Sequence, residues 1–284
     1  MTTLWIYLAG AAILLAPEML RGVLELALMK PGIRLPAMIV IALAVCSVLV
    51  EAQRGGRGAP QAPPSPRAAA PFDLTGQWVS LITEDWRHRQ FIAPKGDYAS
   101  LPLSLAGRKN ADSWDPARDE AAGEQCKAYG AAGLLRLPTR MRIAWQDDVT
   151  LRLDTDAGTQ TRIFYFGSPQ GNGGDWQGLS SASWDSPRAA FAGRGGGPPS
   201  GGSLKVVTTK MKPGYLLKNG APYGANTILT EYFDRFDVPD GDSLIVITSE
   251  VVDPENLATP YWTSQQFKRE NDTSRWSPTP CAAR

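Results

Sequence analysis

Histidine is almost missing from this chain: His88 is the only one in 284 residues, and with three cysteines and no CxxC or Cys/His spacing it leaves no zinc-type ligand set to assemble. No metal and no cofactor is expected on that basis. Long basic runs are also absent, and the formal net charge is +1. A nucleic-acid partner is therefore set aside, because displacing counterions from phosphates takes clustered Lys and Arg. There is no Gly-x-Ser-x-Gly elbow, P-loop or dinucleotide fingerprint, and the glycine-rich run at 193–202 lacks the Lys-Ser/Thr that a phosphate cradle needs. The first apolar run, Leu4 to Ala16, is short of the roughly 20 residues that span a bilayer.

What is present begins with a second apolar run. Counted from Met29, Lys30 and Arg34 form a positive start, Ala37 to Val50 an apolar stretch, and Val50-Glu51-Ala52 a small-residue cleavage site. That is the layout of a secretory signal peptide. The expected organisation is an upstream extension over 1–28, a signal peptide over 29–52, a flexible Pro/Gly/Ala-rich tether over 53–71 and one domain over 72–284. Two alternatives stay open: retention of the segment as an N-terminal membrane anchor, and a lipoprotein box at Leu43-Ala44-Val45-Cys46. The expected location is periplasmic or extracellular. Cys126 and Cys281 are the two cysteines of the presumed mature domain, the number one disulfide needs; two buried free thiols are the alternative.

Folded protein is expected to start at Asp73-Leu74-Thr75-Gly76-Gln77-Trp78-Val79-Ser80. A partly helical insertion follows, with Ser104 as one helix cap and Asp115-Pro116 as a cap and first-turn pair for another. From Arg140 the hydrophobic period becomes two. Met141, Ile143 and Trp145 alternate with polar or small residues, as do Leu151 and Leu153, and further strand patterns cover 161–166, 176–184, 204–211, 228–238, 243–252 and 261–270. About eight or nine short strands joined mostly by hairpins predict a mainly β chain, an antiparallel up-and-down barrel whose closure removes exposed edges.

Gly76-Gln77-Trp78, at the head of this meander, resembles the Gly-x-Trp of the first strand in lipocalins and related calycin barrels. The resemblance implies a barrel with Trp78 plugging its closed end. The chain departs from that pattern in lacking a Thr-Asp-Tyr motif and an evident C-terminal helix. Across Asp73 to Cys281, Thr83-Glu84-Asp85-Trp86, Trp114-Asp115-Pro116, Gly123 to Gly130, Glu231 to Phe236 and Pro278 to Cys281 together look like an uncharacterised family of exported bacterial proteins, a likeness that brings no activity with it.

A small barrel is either filled by side chains or holds one small ligand. Trp86, Trp145, Trp184 and Trp262 are the candidate lining for a flat or apolar molecule, core packing being the alternative. Reading Asp240-Gly241 as a two-residue turn places Glu231 opposite Glu250, on the side that carries Phe233 and Arg235. Facing carboxylates beside an arginine are candidates for acid/base or polar binding work, or else a solvated face. Glu84, Asp85 and His88 form a second charged cluster where the first strand meets a barrel rim. Three functions follow: an exported barrel binding a small, largely apolar or aromatic molecule; an enzyme of that fold using Glu231, Glu250 and Arg235; or an envelope interaction protein with no pocket.

Overall fold

The computed structural model describes residues 63–82, 86–185 and 202–284, the side chains of Arg87 and His88 excepted. The signal-like segment and residues 53–62 of the tether lie outside the described residues, as does most of the glycine-rich run. Eleven strands follow in order: β1 (Gly76–Leu81), β2 (Arg140–Trp145), β3 (Thr150–Thr155), β4 (Gln160–Phe166), β5 (Leu179–Asp185), β6 (Ser203–Thr209), β7 (Gly214–Tyr215), β8 (Pro222–Tyr223), β9 (Ile228–Asp237), β10 (Ser243–Val252) and β11 (Tyr261–Arg269). Nine of them close a barrel in the order β1-β11-β10-β9-β6-β5-β4-β3-β2, while β7 and β8 form a separate two-stranded ladder.

The barrel is mixed, which corrects the up-and-down antiparallel expectation. Eight of its joints are antiparallel and one, β4 with β5, is parallel (Phe164 beside Ser180, Tyr165 beside Ser181). The reason is arithmetic: directions that alternate strictly around a ring close only for an even number of strands, so a nine-strand ring needs at least one parallel joint. The connection over residues 167–178 supplies it, carrying the chain back before β5 begins.

Alternation puts one face of each strand inside. Trp78, Met141, Ile143, Leu151, Leu153, Phe164, Leu204, Val206, Phe233, Ile245, Ile247 and Phe267 form one packed cluster and are all buried. These side chains fill the end of the barrel where β1 starts. The opposite end is covered by the insertion between β1 and β2, which contains α1 (Trp86–Arg89), α2 (Leu105–Asp112), α3 (Pro116–Ala121) and α4 (Ala131–Leu134). Its caps are the expected ones: Ser104 Oγ accepts from Gly107 N at 2.9 Å, and Asp115 Oδ1 from Ala117 N at 3.0 Å. A second apolar cluster joins this cover to the barrel rim, with Tyr98, Leu101 and Ala132 from the insertion and Leu216 and Tyr223 from the β7–β8 region meeting Leu229, Val251 and Tyr261.

Trp78 is fully buried, and its indole N–H donates to Leu74 O at 3.0 Å. The Arg269 guanidinium, paired across from it on β11, lies 5.1 Å from the indole centroid. Gly76 makes that approach possible. Its φ is +121°, and a Cβ there would stand 2.8 Å from the guanidinium. Gly76→Ala is therefore expected to cost about 1–3 kcal/mol through a backbone region that L side chains avoid, together with displacement of Arg269. Urea denaturation followed by circular dichroism measures it, and a loss under about 0.5 kcal/mol, within the range of a neutral surface substitution, would contradict the account.

After β11 the chain turns back over the outside of the barrel. Glu270 accepts from Arg140 Nε at 2.8 Å and from Gln77 Nε2 at 2.7 Å; the Arg140 bonds hold its carboxyl below the ordinary range. Arg142 lies over Trp276 at 4.2 Å, Thr279 N donates to Asp156 O at 2.8 Å, and Cys281 is bridged to Cys126 in the insertion.

Candidate functional site

Between the two apolar clusters runs a belt of buried polar side chains. Arg162 on β4 donates through Nη1 to Glu231 Oε1 at 3.0 Å and through Nη2 to Glu231 Oε2 at 2.5 Å, reaching across the interior to β9. The strands in between contribute one hydroxyl each: Arg162 Nη2 donates to Thr208 Oγ1 on β6 at 3.2 Å, and Thr208 shares a 2.8 Å hydrogen bond with Ser180 on β5. Farther round, Ser249 Oγ donates to Gln265 Oε1 at 3.2 Å, and Gln265 donates to Thr263. The Arg162 and Glu231 side chains are 0% and 2% exposed. Above them burial pushes the Tyr223 phenol well up from its ordinary pKa, and its hydroxyl has no hydrogen-bond partner among the described residues. Both Glu231 oxygens are engaged by one guanidinium, so the pair acts as a cross-brace between β4 and β9.

The expected Glu231–Glu250 pairing is not formed. Glu231 stands opposite Ser249, and Glu250 opposite Thr230, with Trp262 as its other neighbour. Three residues close the hairpin where two were expected: Val238 N donates to Asp242 O, Gly241 N donates to Val238 O, and Gly241 takes φ +86°. This is a type I turn followed by a left-handed glycine, and the one-residue change moves Glu250 to the outer face. Arg235 is also apart from Glu231, donating to Asp237 Oδ1 and to Asp73 O, both at 2.8 Å. Phe233 is core, 5.7 Å from the Phe164 ring.

The candidate tryptophans separate into three places. Trp145 and Trp184 cluster with Phe166 at the mouth where β1 starts, at ring separations of 5.4–6.5 Å. Residues 64–72, the end of the expected tether and the first residue of the expected domain, lie over that mouth: Phe72 packs edge-on to Trp184 at 5.7 Å, and Pro66 O accepts the Trp184 indole N–H at 2.7 Å. Trp262 is exposed on the outer wall. Trp86 sits on α1, edge-on to Phe91 at 5.9 Å. Glu84, Asp85 and the His88 side chain lie outside the described residues.

Trp86 lies beside a concave surface of mixed lining that several exposed apolar side chains border. A cleft of about 270 Å³ opens between the insertion (Arg89–Ala93, Tyr129, Arg136–Pro138) and the segment Leu216–Asn219, with Ala157 and Thr279 on its floor and rim. Phe91 and Ile92 form a ledge along it, 58% and 48% exposed, continued by Trp86 at 56%. Solvent-facing apolar groups gathered at a concavity mark a binding surface more often than isolated ones do. Three cationic side chains also line it, Arg89, Arg136 and Lys218, and none of its described lining residues is acidic.

No family model, no curated protein and no solved structure matches the chain. Its function has to be read from its own geometry. Among the described residues no three His, Cys, Asp or Glu side chains are grouped to hold a metal ion. Sequence reasoning passed over two things. One is Arg162, whose signal was a charge in phase with the inward Phe164. The other is the cleft, whose signal was the pair Phe91-Ile92 standing in an otherwise polar stretch.

Proposed function

We propose that this protein binds a small, largely apolar molecule, and that the binding site is the cleft between the insertion and Leu216–Asn219. The observation that carries the reading is the ledge of Trp86, Phe91 and Ile92 left exposed beside that cleft while the barrel axis is filled by packed side chains. A filled axis favours a site at the cover of the barrel over one inside it. The exported part of the reading draws support from the Cys126–Cys281 bridge, since disulfides persist in oxidising compartments. The lipocalin- and calycin-like part draws support from Gly76 and Trp78 at the head of β1, with Trp78 closed into the core; the nine-strand count and the parallel joint are departures from it.

The test is fluorescence titration with N-phenyl-1-naphthylamine, a neutral amine joining a naphthyl and a phenyl group that brightens in apolar surroundings. One-to-one saturable binding is expected, weakened at least about tenfold by Phe91→Asp and by Ile92→Asp, the cost of facing an apolar ligand with a carboxylate. Both positions are exposed, so both variants are expected to fold. Absence of saturable binding, or binding indifferent to both changes, would remove the cleft as the site. The ledge also favours a second reading, an envelope interaction protein that covers Trp86, Phe91 and Ile92 with a partner chain; that reading predicts no dye binding.

A further inference from the structure

We infer that the ligand of this cleft carries one acidic group, held by Lys218 and Tyr129; this rests on the cleft reading above and names the chemical class it takes. The other partly buried lysines near the cover are neutralised: Lys127 sits 2.8 Å from Asp119, and Lys212 3.0 Å from Glu124. Lys218 is different. Its Nζ donates to the Tyr129 hydroxyl at 3.2 Å and lies 5.3 Å from the ring centroid, and no carboxylate pairs with it among the described residues. An ammonium has three donors, so this geometry leaves capacity for an incoming anion.

Tyr129 supplies the second donor. It is 6% exposed and lines the cleft. Its oxygen accepts from Lys218 Nζ and also from Ala282 N at 3.4 Å. With the lone pairs directed at those two N–H groups, the hydroxyl proton points elsewhere, and no described residue accepts it. A cation and a hydroxyl donor 3.2 Å apart on the lining of one cleft can together hold a carboxylate, sulfonate or phosphate group. The two arginines of the lining are committed differently: Arg89 donates to Arg136 O at 3.2 Å and to Leu81 O at 3.3 Å, and Arg136 lies 5.6 Å from the Tyr261 ring. The fitting ligand is thus a small amphiphile, with an apolar body along Phe91 and Ile92 and a single acidic head at Lys218.

Two dyes that differ by one group test this. 1-Anilinonaphthalene-8-sulfonate is N-phenyl-1-naphthylamine with a sulfonate added, so the ratio of their dissociation constants reports what the charge contributes. The wild-type protein, with its disulfide formed, is expected to bind the sulfonate about tenfold more tightly, the size of one charge-assisted hydrogen bond. Lys218→Met is expected to abolish that ratio by weakening the sulfonate dye, Lys218→Arg to keep most of it, and raised salt to lower it. Neutral-dye binding without a sulfonate preference, or a preference that survives Lys218→Met, overturns the inference and leaves the cleft reading standing. Failure of both dyes overturns both. A circular dichroism spectrum and urea midpoint like those of the wild-type protein show that the Lys218→Met variant is folded.

Discussion

Glu231→Gln is expected to cost about 3–5 kcal/mol of folding free energy, a large part of what a domain of this size has. Its amide fills nearly the same space, so the loss is electrostatic. With the carboxylate gone, Arg162 keeps a full, uncompensated charge inside the barrel, 0% exposed, with one neutral amide oxygen and Thr208 Oγ1 as acceptors, the Phe164 ring 5.0 Å away, and Nε already lacking a partner. The cost therefore belongs to the stranded guanidinium and not to the missing bonds alone. Removing both charges separates the two: the double variant Arg162→Met with Glu231→Leu is expected to recover most of the loss, because a pair taken out of water gains little net stability over apolar side chains that pack equally well. Glu250→Gln, on the outer face, is the control and should stay within about 0.5 kcal/mol. Urea denaturation of the four proteins reads all of this. A Glu231→Gln loss below about 1 kcal/mol would mean that water reaches Arg162, and the brace would then have no special role.

This experiment turns on a feature that local sequence did not decide. The alternation of Met141 with Ile143, Leu151 with Leu153 and Leu229 with Phe233 was legible because a barrel wall has one wet and one dry face, and the caps at Ser104 and Asp115 were legible because capping is a local hydrogen bond. The hairpin at Asp240-Gly241 was not. A left-handed glycine fits a two-residue loop and also the third position of a three-residue loop, so the turn residues admit both registers. Packing decides between them: the observed one puts Leu229, Glu231 and Phe233 inside together with Ile245, Ile247 and Val251. The parallel joint was equally hidden, since strand periodicity carries no direction. As for the cleft, Phe91-Ile92 and Leu216–Asn219 lie far apart in the chain and in no regular pattern, and they meet only because the insertion folds over the barrel end.

The second large effect belongs to the Cys126–Cys281 bridge. Its partners are 155 residues apart, and the loop it closes contains every strand of the barrel except β1. In the chain-entropy model such a loop removes enough freedom from the unfolded state to contribute about 5 kcal/mol. The double variant Cys126→Ala with Cys281→Ala is expected to lose most of that amount, and, because its unfolded chain is no longer cross-linked, to show a larger denaturant m-value than the bridged protein. The two signatures together distinguish loss of a cross-link from loss of native contacts, which would lower stability at constant m. The local consequence is confined by what else holds the tail: Thr279 N to Asp156 O, Thr159 Oγ1 to Thr279 O at 3.0 Å, and Arg142 over Trp276 remain. Ala282 N to Tyr129 Oη, one residue beyond the bridge, is the bond expected to open, seen as faster hydrogen exchange at Ala282 with Thr279 still protected. A loss under about 1 kcal/mol with an unchanged m-value would show that the reduced unfolded chain stays as compact as the bridged one, and the stabilisation would then have to be sought in the native contacts of the tail.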